Sequence, residues 1–137
     1  MMRKTYDTVF IVDDDRIVNL LHRQLIVNMG IAKEIRVFSN PLVALIELRN
    51  ILLSSNKNIL ILLDVNMPEM NGFQFLEAIS QFAENKSVMD ILLVSSSVDQ
   101  RDMEKSLINP LINRFMIKPL NSSDILDFLQ QSSNISA

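Results

Sequence analysis

The chain has 137 residues, 48% of them hydrophobic, with 2 glycines, 4 prolines, no cysteine, one histidine and a formal net charge of −3. That length suits a single core burying roughly two thirds of the surface an unfolded chain exposes, and the composition argues against disorder. The missing cysteines exclude disulfides and thiolate metal sites, the acidic balance leaves no broad surface for nucleic acid, and no apolar run reaches the ~20 residues that span a bilayer.

Residues 1–7 carry charge without the apolar block of an export signal, so a soluble, cytoplasmic protein is expected. Residues 8–12, Thr8-Val9-Phe10-Ile11-Val12, form the first β-rich run and lead straight into Asp13-Asp14-Asp15. Val18, Leu21, Leu25 and Met29 then recur at helical spacing, and Gly30 can close that helix. His22 lies in this segment with no other His or Cys near it; it is expected to be an exposed surface residue without a role. Residues 34–38 read as a weaker strand. Asn40-Pro41 supplies a cap followed by the proline favoured at a first helical position.

Residues 59–63 are unbroken Ile and Leu, closed by Asp64 and a breaker-rich turn, Val65-Asn66-Met67-Pro68-Glu69-Met70-Asn71-Gly72. A strand apolar on both faces belongs in the middle of a parallel sheet. Leu76, Ile79 and Ala83, flanked by Phe75 and Phe82, give the next helical stripe, and residues 91–94 the next strand, ending in Ser95-Ser96-Ser97. The segment 98–108 is helical but has little apolar face beyond Met103 and Leu107, so it is expected to be weakly anchored and able to shift. Residues 114–117 form the last strand and run into Lys118-Pro119; Asn121-Ser122-Ser123 can cap a final helix, followed by a polar, frayed tail over 132–137. The dispersed methionines read as core filling and loop positions.

Five βα units with short connections predict an α/β fold, a parallel sheet covered by helices on both faces through right-handed crossovers. No repeat or composition shift marks a second domain, so residues 1–137 are expected to be one module with a core over about 8–130. In a parallel sheet the strand ends share an edge where ligands bind. Asp13, Asp14, Asp64, Ser95 and Lys118 should therefore meet in one crevice. Singly, each has a blander explanation: the aspartates as solvated turns, with Asp15 capping the first helix, and Lys118 as a solvent-exposed lysine. Their joint order carries the reading.

With Ile11-Val12-Asp13-Asp14-Asp15, the stretch from Leu62 to Gly72, Leu93-Val94-Ser95-Ser96 and Ile117-Lys118-Pro119-Leu120, the chain resembles a response-regulator receiver domain, the phosphoacceptor module of two-component signalling. The resemblance implies a flavodoxin-like five-stranded sheet of order 2-1-3-4-5. It implies that Asp64 takes phosphoryl from a histidine kinase or histidine phosphotransfer protein, and that Asp13, Asp14, Asp64 and the backbone carbonyl of Asn66 hold Mg2+ or Mn2+, with Asp13 acting through water. Lys118 and Ser95 would contact the phosphoryl group. Ser95 and Phe115 would form the switch, and the fourth helix, fifth strand and fifth helix the surface presented to a downstream target protein. Departures from the family pattern are Asn71-Gly72 for Asp-Gly, Ser96 for Ala, Phe115 without a phenolic hydroxyl, and Asn109-Pro110 with one additional residue before Lys118.

What the resemblance implies is a phosphorelay switch and not an enzyme turning over external substrates, with no direct contact to nucleic acid or membrane. A haloacid-dehalogenase-type phosphatase wants an acid where this chain has Asn66, and a flavin carrier would have its phosphate repelled by the aspartates of the first loop. The alternatives that keep the same fold are a degenerate receiver that binds partners without phosphorylation, and a receiver cut from a larger regulator or hybrid kinase.

Overall fold

Strands and helices alternate along the whole of the computed structural model, which describes residues 4–54, 56–82 and 89–135, the last four by backbone alone. The order is β1 (Tyr6–Val12), α1 (Arg16–Met29), β2 (Ala32–Phe38), α2 (Pro41–Ser54), β3 (Ile59–Asp64), α3 (Gly72–Ser80), β4 (Met89–Ser95), α4 (Gln100–Ile108), β5 (Arg114–Ile117) and α5 (Ser122–Ile135). The strands make one parallel sheet in the order β2-β1-β3-β4-β5. The expected flavodoxin-like fold is the one formed.

Every residue of β3 is buried, as its unbroken apolar run requires, and its side chains alternate between two cores. Ile59, Ile61 and Leu63 join Phe10, Val12, Ala44, Leu48, Phe75 and Ile79 beneath α2 and α3. Leu60 and Leu62 join Val9, Ile11, Ile26, Ile125, Phe128 and Leu129 beneath α1 and α5. Full burial of one such aliphatic side chain is worth about 1.5–3 kcal/mol, so these layers fix the sheet firmly. The strand β2, legible only weakly, is an edge whose residues are all at least partly exposed.

The helices α1, α2 and α4 set their inward faces in different ways. The inward face of α1 carries Asn19, His22 and Ile26, while Leu21 is 50% exposed, so the helix is rotated away from the expected stripe. His22 is not a surface residue; it is 1% exposed. The reason is polar: Asn19 and His22 hydrogen-bond to loop backbone that would otherwise be buried without partners. In α2, Leu42, Ile46 and Leu53 face outward although Ala44, Leu48 and Ile51 fill the core, because this helix is apolar around its circumference. In α4, Ser106 is the buried residue and Leu107 and Ile108 are more than four-fifths exposed, in keeping with the weak face read there.

Caps form where the sequence placed them. Asp15 Oδ1 accepts from the backbone N–H groups of Ile17 and Val18, Asn40 Oδ1 from Leu42 and Asn121 Oδ1 from Asp124, and Gly30 closes α1 at a φ of 64°. The helix α5 continues to Ile135, so the backbone of the expected tail is helical as far as that residue. The helix is anchored by buried Ile125, Phe128 and Leu129. Ala83 of the α3 stripe, and residues 136 and 137, lie outside the described residues. Among the described residues no helix is long and apolar enough to cross a membrane.

Candidate functional site

Register decides which side chains meet. Val12 pairs with Leu63, Asp64 with Val94, and Ser95 with Ile117, so the residues that follow β1, β4 and β5 emerge beside Asp64 on one edge of the sheet. Backbone hydrogen bonds continue just past the strands: Val65 N–H donates to Val94 O at 3.0 Å, and Lys118 N–H to Ser95 O at 2.8 Å.

Asp13, buried at 1% exposure, is held from three directions. Its Oδ1 accepts from Asp15 N–H at 2.8 Å, its Oδ2 from Lys118 Nζ at 2.9 Å, and its backbone carbonyl from Asn19 Nδ2 at 2.7 Å. Asp64 is equally buried; its Oδ1 lies 3.1 Å from Lys118 Nζ and accepts from Asn66 N–H at 3.3 Å. Its Oδ2 has no hydrogen-bond partner among the described residues. Asp14 stands exposed at the rim, and oxygens of Asp13, Asp14 and Asp64 all lie within 4.8 Å of one another. Five of the residues read from sequence, Asp13, Asp14, Asp64, Ser95 and Lys118, thus sit at one edge.

The electrostatics follow from this crowding. Burial, then the negative charge of Asp13, pushes the Asp64 carboxyl up to about 7 in spite of Lys118. Burial would lower Lys118, but the hydrogen bond to Asp13 and the charges of Asp64 and Asp13 outweigh it and hold the ammonium above its ordinary value. A buried carboxylate oxygen without a donor, inside a triangle of three acids, is what a hard divalent cation relieves. The donor set is all oxygen, which suits Mg2+ and leaves nothing for a softer metal.

The loop from Asp64 to α3 is drawn tight around this point. Gly72 N–H donates to Val65 O at 2.8 Å, and a Cβ at Gly72 would stand 2.8 Å from both Asp64 O and Leu93 Cδ1. Asn71 and Gln74 close a reciprocal capping box, so Asn-Gly serves this turn as Asp-Gly would. On the other side, Ser95 is buried and its Oγ donates to Ser97 O at 2.8 Å, while Ser96 is exposed. Phe115 is half-buried and packs against the core beneath α2 and α3. Ser95 and the backbone of Asn66 thus border the acidic triangle, whereas Phe115 lies inside β5, three residues before Lys118.

Two residues beside the site escaped the sequence reading, Asn19 and His22 on α1. Their spacing of three, continued by Ile26, was the available signal for a polar inward face.

A family model for the response regulator receiver domain matches residues 9–130. A two component response regulator from Cytophaga hutchinsonii is similar at 27% identity and a TM-score of 0.84, covering 96% of this chain and 99% of its own. A response regulator receiver protein from Dyadobacter fermentans is similar at 28% identity and a TM-score of 0.81, covering 90% of this chain and 95% of its own. The CheY of a CheX-CheY-BeF3-Mg+2 complex from Borrelia burgdorferi shares the fold at 22% identity and a TM-score of 0.72, covering 92% of this chain and 88% of its own. No curated protein matches the chain.

Proposed function

The chain belongs to the response regulator receiver domain family, and from that premise we propose that Asp64 is the phosphoacceptor of a phosphorelay switch, charged by a histidine kinase or histidine phosphotransfer protein. The observation that carries this reading is the Asp64 carboxylate, buried at a strand end with one oxygen on Lys118 and the other unpartnered amid three acids.

In the proposed transfer an oxygen of ionised Asp64 attacks phosphorus, the phosphorus–nitrogen bond of the donor breaks, and its electron pair leaves on the imidazole. The product is an acyl phosphate. Such transfer needs alignment and charge neutralisation more than proton abstraction. Receiver domains bind Mg2+ at an acidic pocket, and here Asp14, Asp64 and the Asn66 carbonyl would hold it with Asp13 behind a water. When bound, the ion supplies positive charge to the carboxylates and the phosphoryl oxygens.

This chain's own residues supply the rest. Lys118 holds Asp64 partly ionised before transfer and is placed to take a phosphoryl oxygen after it. Ser95, the buried hydroxyl at the end of β4, is the proposed hydrogen-bond donor to the phosphoryl group in preference to exposed Ser96. Phe115, half-buried on β5, is the ring that would follow Ser95 and alter the α4–β5–α5 surface offered to a target protein. Residues 9–130 would act as one receiver module.

The test is incubation with acetyl phosphate and Mg2+ followed by intact mass measurement. One phosphoryl group is expected on the wild type and none on Asp64→Asn; labelling that survives this substitution removes Asp64 from the role.

A further inference from the structure

We propose that His22 is a positioning residue for Lys118, and through it for the phosphoacceptor; the inference rests on the receiver reading above. Lys118 reaches Asp13 and Asp64 from a short segment whose backbone must itself be held. Pro119 has no N–H, so after Lys118 the next backbone donor is Leu120. That donor is used: Leu120 N–H donates to His22 Nε2 at 3.1 Å, across the molecule from β5 to α1. On the other flank Lys118 N–H donates to Ser95 O at 2.8 Å. The lysine is thus slung between β4 and α1, and His22 is the α1 anchor.

A histidine at this depth needs a reason, because a leucine or valine would fill an inward position of α1 without a polar group to satisfy. Acceptance at Nε2 supplies it and places the ring proton on Nδ1. Burial keeps the imidazole below its ordinary pKa, with Lys118 adding to the effect and Asp13 opposing it, so the accepting lone pair is retained. One turn earlier on the same face, Asn19 Nδ2 donates to Asp13 O. The helix therefore grips both loops that bring Asp13 and Lys118 together, at points three residues apart.

The test uses the full chain with His22→Leu, His22→Gln and Ile26→Val. Leucine removes the acceptor, glutamine offers a side-chain carbonyl of similar reach, and Ile26→Val loosens the same helix face while leaving the acceptor of the Leu120 N–H in place. Two readouts need no phosphorylation: protection of the Leu120 amide from hydrogen exchange, and the NMR signal of the Lys118 ammonium, visible only while the group is shielded and paired. Both are expected to be lost in His22→Leu and kept in the other two proteins. With acetyl phosphate and Mg2+, the rate of Asp64 labelling is expected to fall roughly tenfold or more in His22→Leu, the usual scale for losing an outer supporting contact, and to recover in His22→Gln. A His22→Leu protein with Leu120 protected, the lysine signal intact and a wild-type rate overturns the inference, as does an equal loss in Ile26→Val. Failure of the wild type to accept phosphoryl would overturn the receiver reading instead, and the two NMR readouts would still decide the place of His22.

Discussion

Lys118, at the end of β5, reaches past β4 to set its Nζ 3.1 Å from Oδ1 of Asp64 at the end of β3. The same ammonium lies 2.9 Å from Asp13 Oδ2, so one cation bridges two buried acids. It compensates part of the charge that folding concentrates there and leaves the remainder for a divalent ion.

Replacing Lys118 by Ala is therefore expected to leave Mg2+ binding intact or tighter, because a competing cation has left the same oxygens. Acetyl phosphate should still label Asp64, but roughly tenfold or more slowly, whereas the affinity change toward a target protein on phosphorylation should be lost. Titration calorimetry with Mg2+ and a binding assay before and after labelling check both arms. Weaker Mg2+ binding would show that the ammonium supports the metal site instead of competing with it.

The ligand-free protein should lose stability as pH rises. Asp64 has a folded pKa of about 7 against an ordinary value of 3.8, so through that interval the native state holds a proton that the unfolded chain has released. Stability from this group is complete below the lower value and declines toward the upper one. Thermal unfolding in chelator is expected to show a lower midpoint near pH 7 than near about pH 5, a slope flattened in Asp64→Asn, and a larger stabilisation by Mg2+ at the higher pH. A slope equal in the wild type and Asp64→Asn would assign the effect to other groups.

Gly72→Ala should be costly and should act at the site. Its new methyl would stand 2.8 Å from the Asp64 carbonyl and from Leu93 Cδ1, so backbone must move, at about 1–3 kcal/mol. Gly30→Ala is the control: nothing lies within 4 Å there, and the left-handed φ of 64° alone costs roughly 1–2 kcal/mol. Denaturant unfolding is expected to show comparable losses, with Asp64 labelling slowed only in Gly72→Ala.

Five strands and their parallel direction were legible because the main apolar runs end in polar signals and because β3 is apolar on both faces, while the strand order was implied by the family resemblance. The gathering of Asp13, Asp14, Asp64, Ser95 and Lys118 followed from parallel strands ending at one edge. The interior of α1 was not legible: a hydrophobic stripe through Leu21 is the better pattern on paper, but backbone groups of two loops need partners there, and Asn19 and His22 supply them. Periodicity reads side-chain transfer energy and is blind to the hydrogen-bond needs of a neighbouring loop. It was equally mute for α2, where apolar residues all round leave no face to choose. The opposite edge of the sheet holds a further example. Tyr6 Oη donates to Asp90 at 2.7 Å across a sequence separation of 84, and Lys4 pairs with the same carboxylate, a contact that only strand order can make.

The Ser95 hydroxyl has one proton to give, and in this structure it is given to the carbonyl of Ser97. Service to a phosphoryl oxygen and service to that carbonyl are mutually exclusive. Under the proposed role an acyl phosphate on Asp64 would have to displace the Ser97 carbonyl as acceptor, and the approach to α4 would lose one of the two hydrogen bonds that join Ser97 to the Ser95 hydroxyl. A change at Asp64 would in this sense be written as the trade of one hydrogen bond, in the chain that leads to a helix with a single buried residue, Ser106.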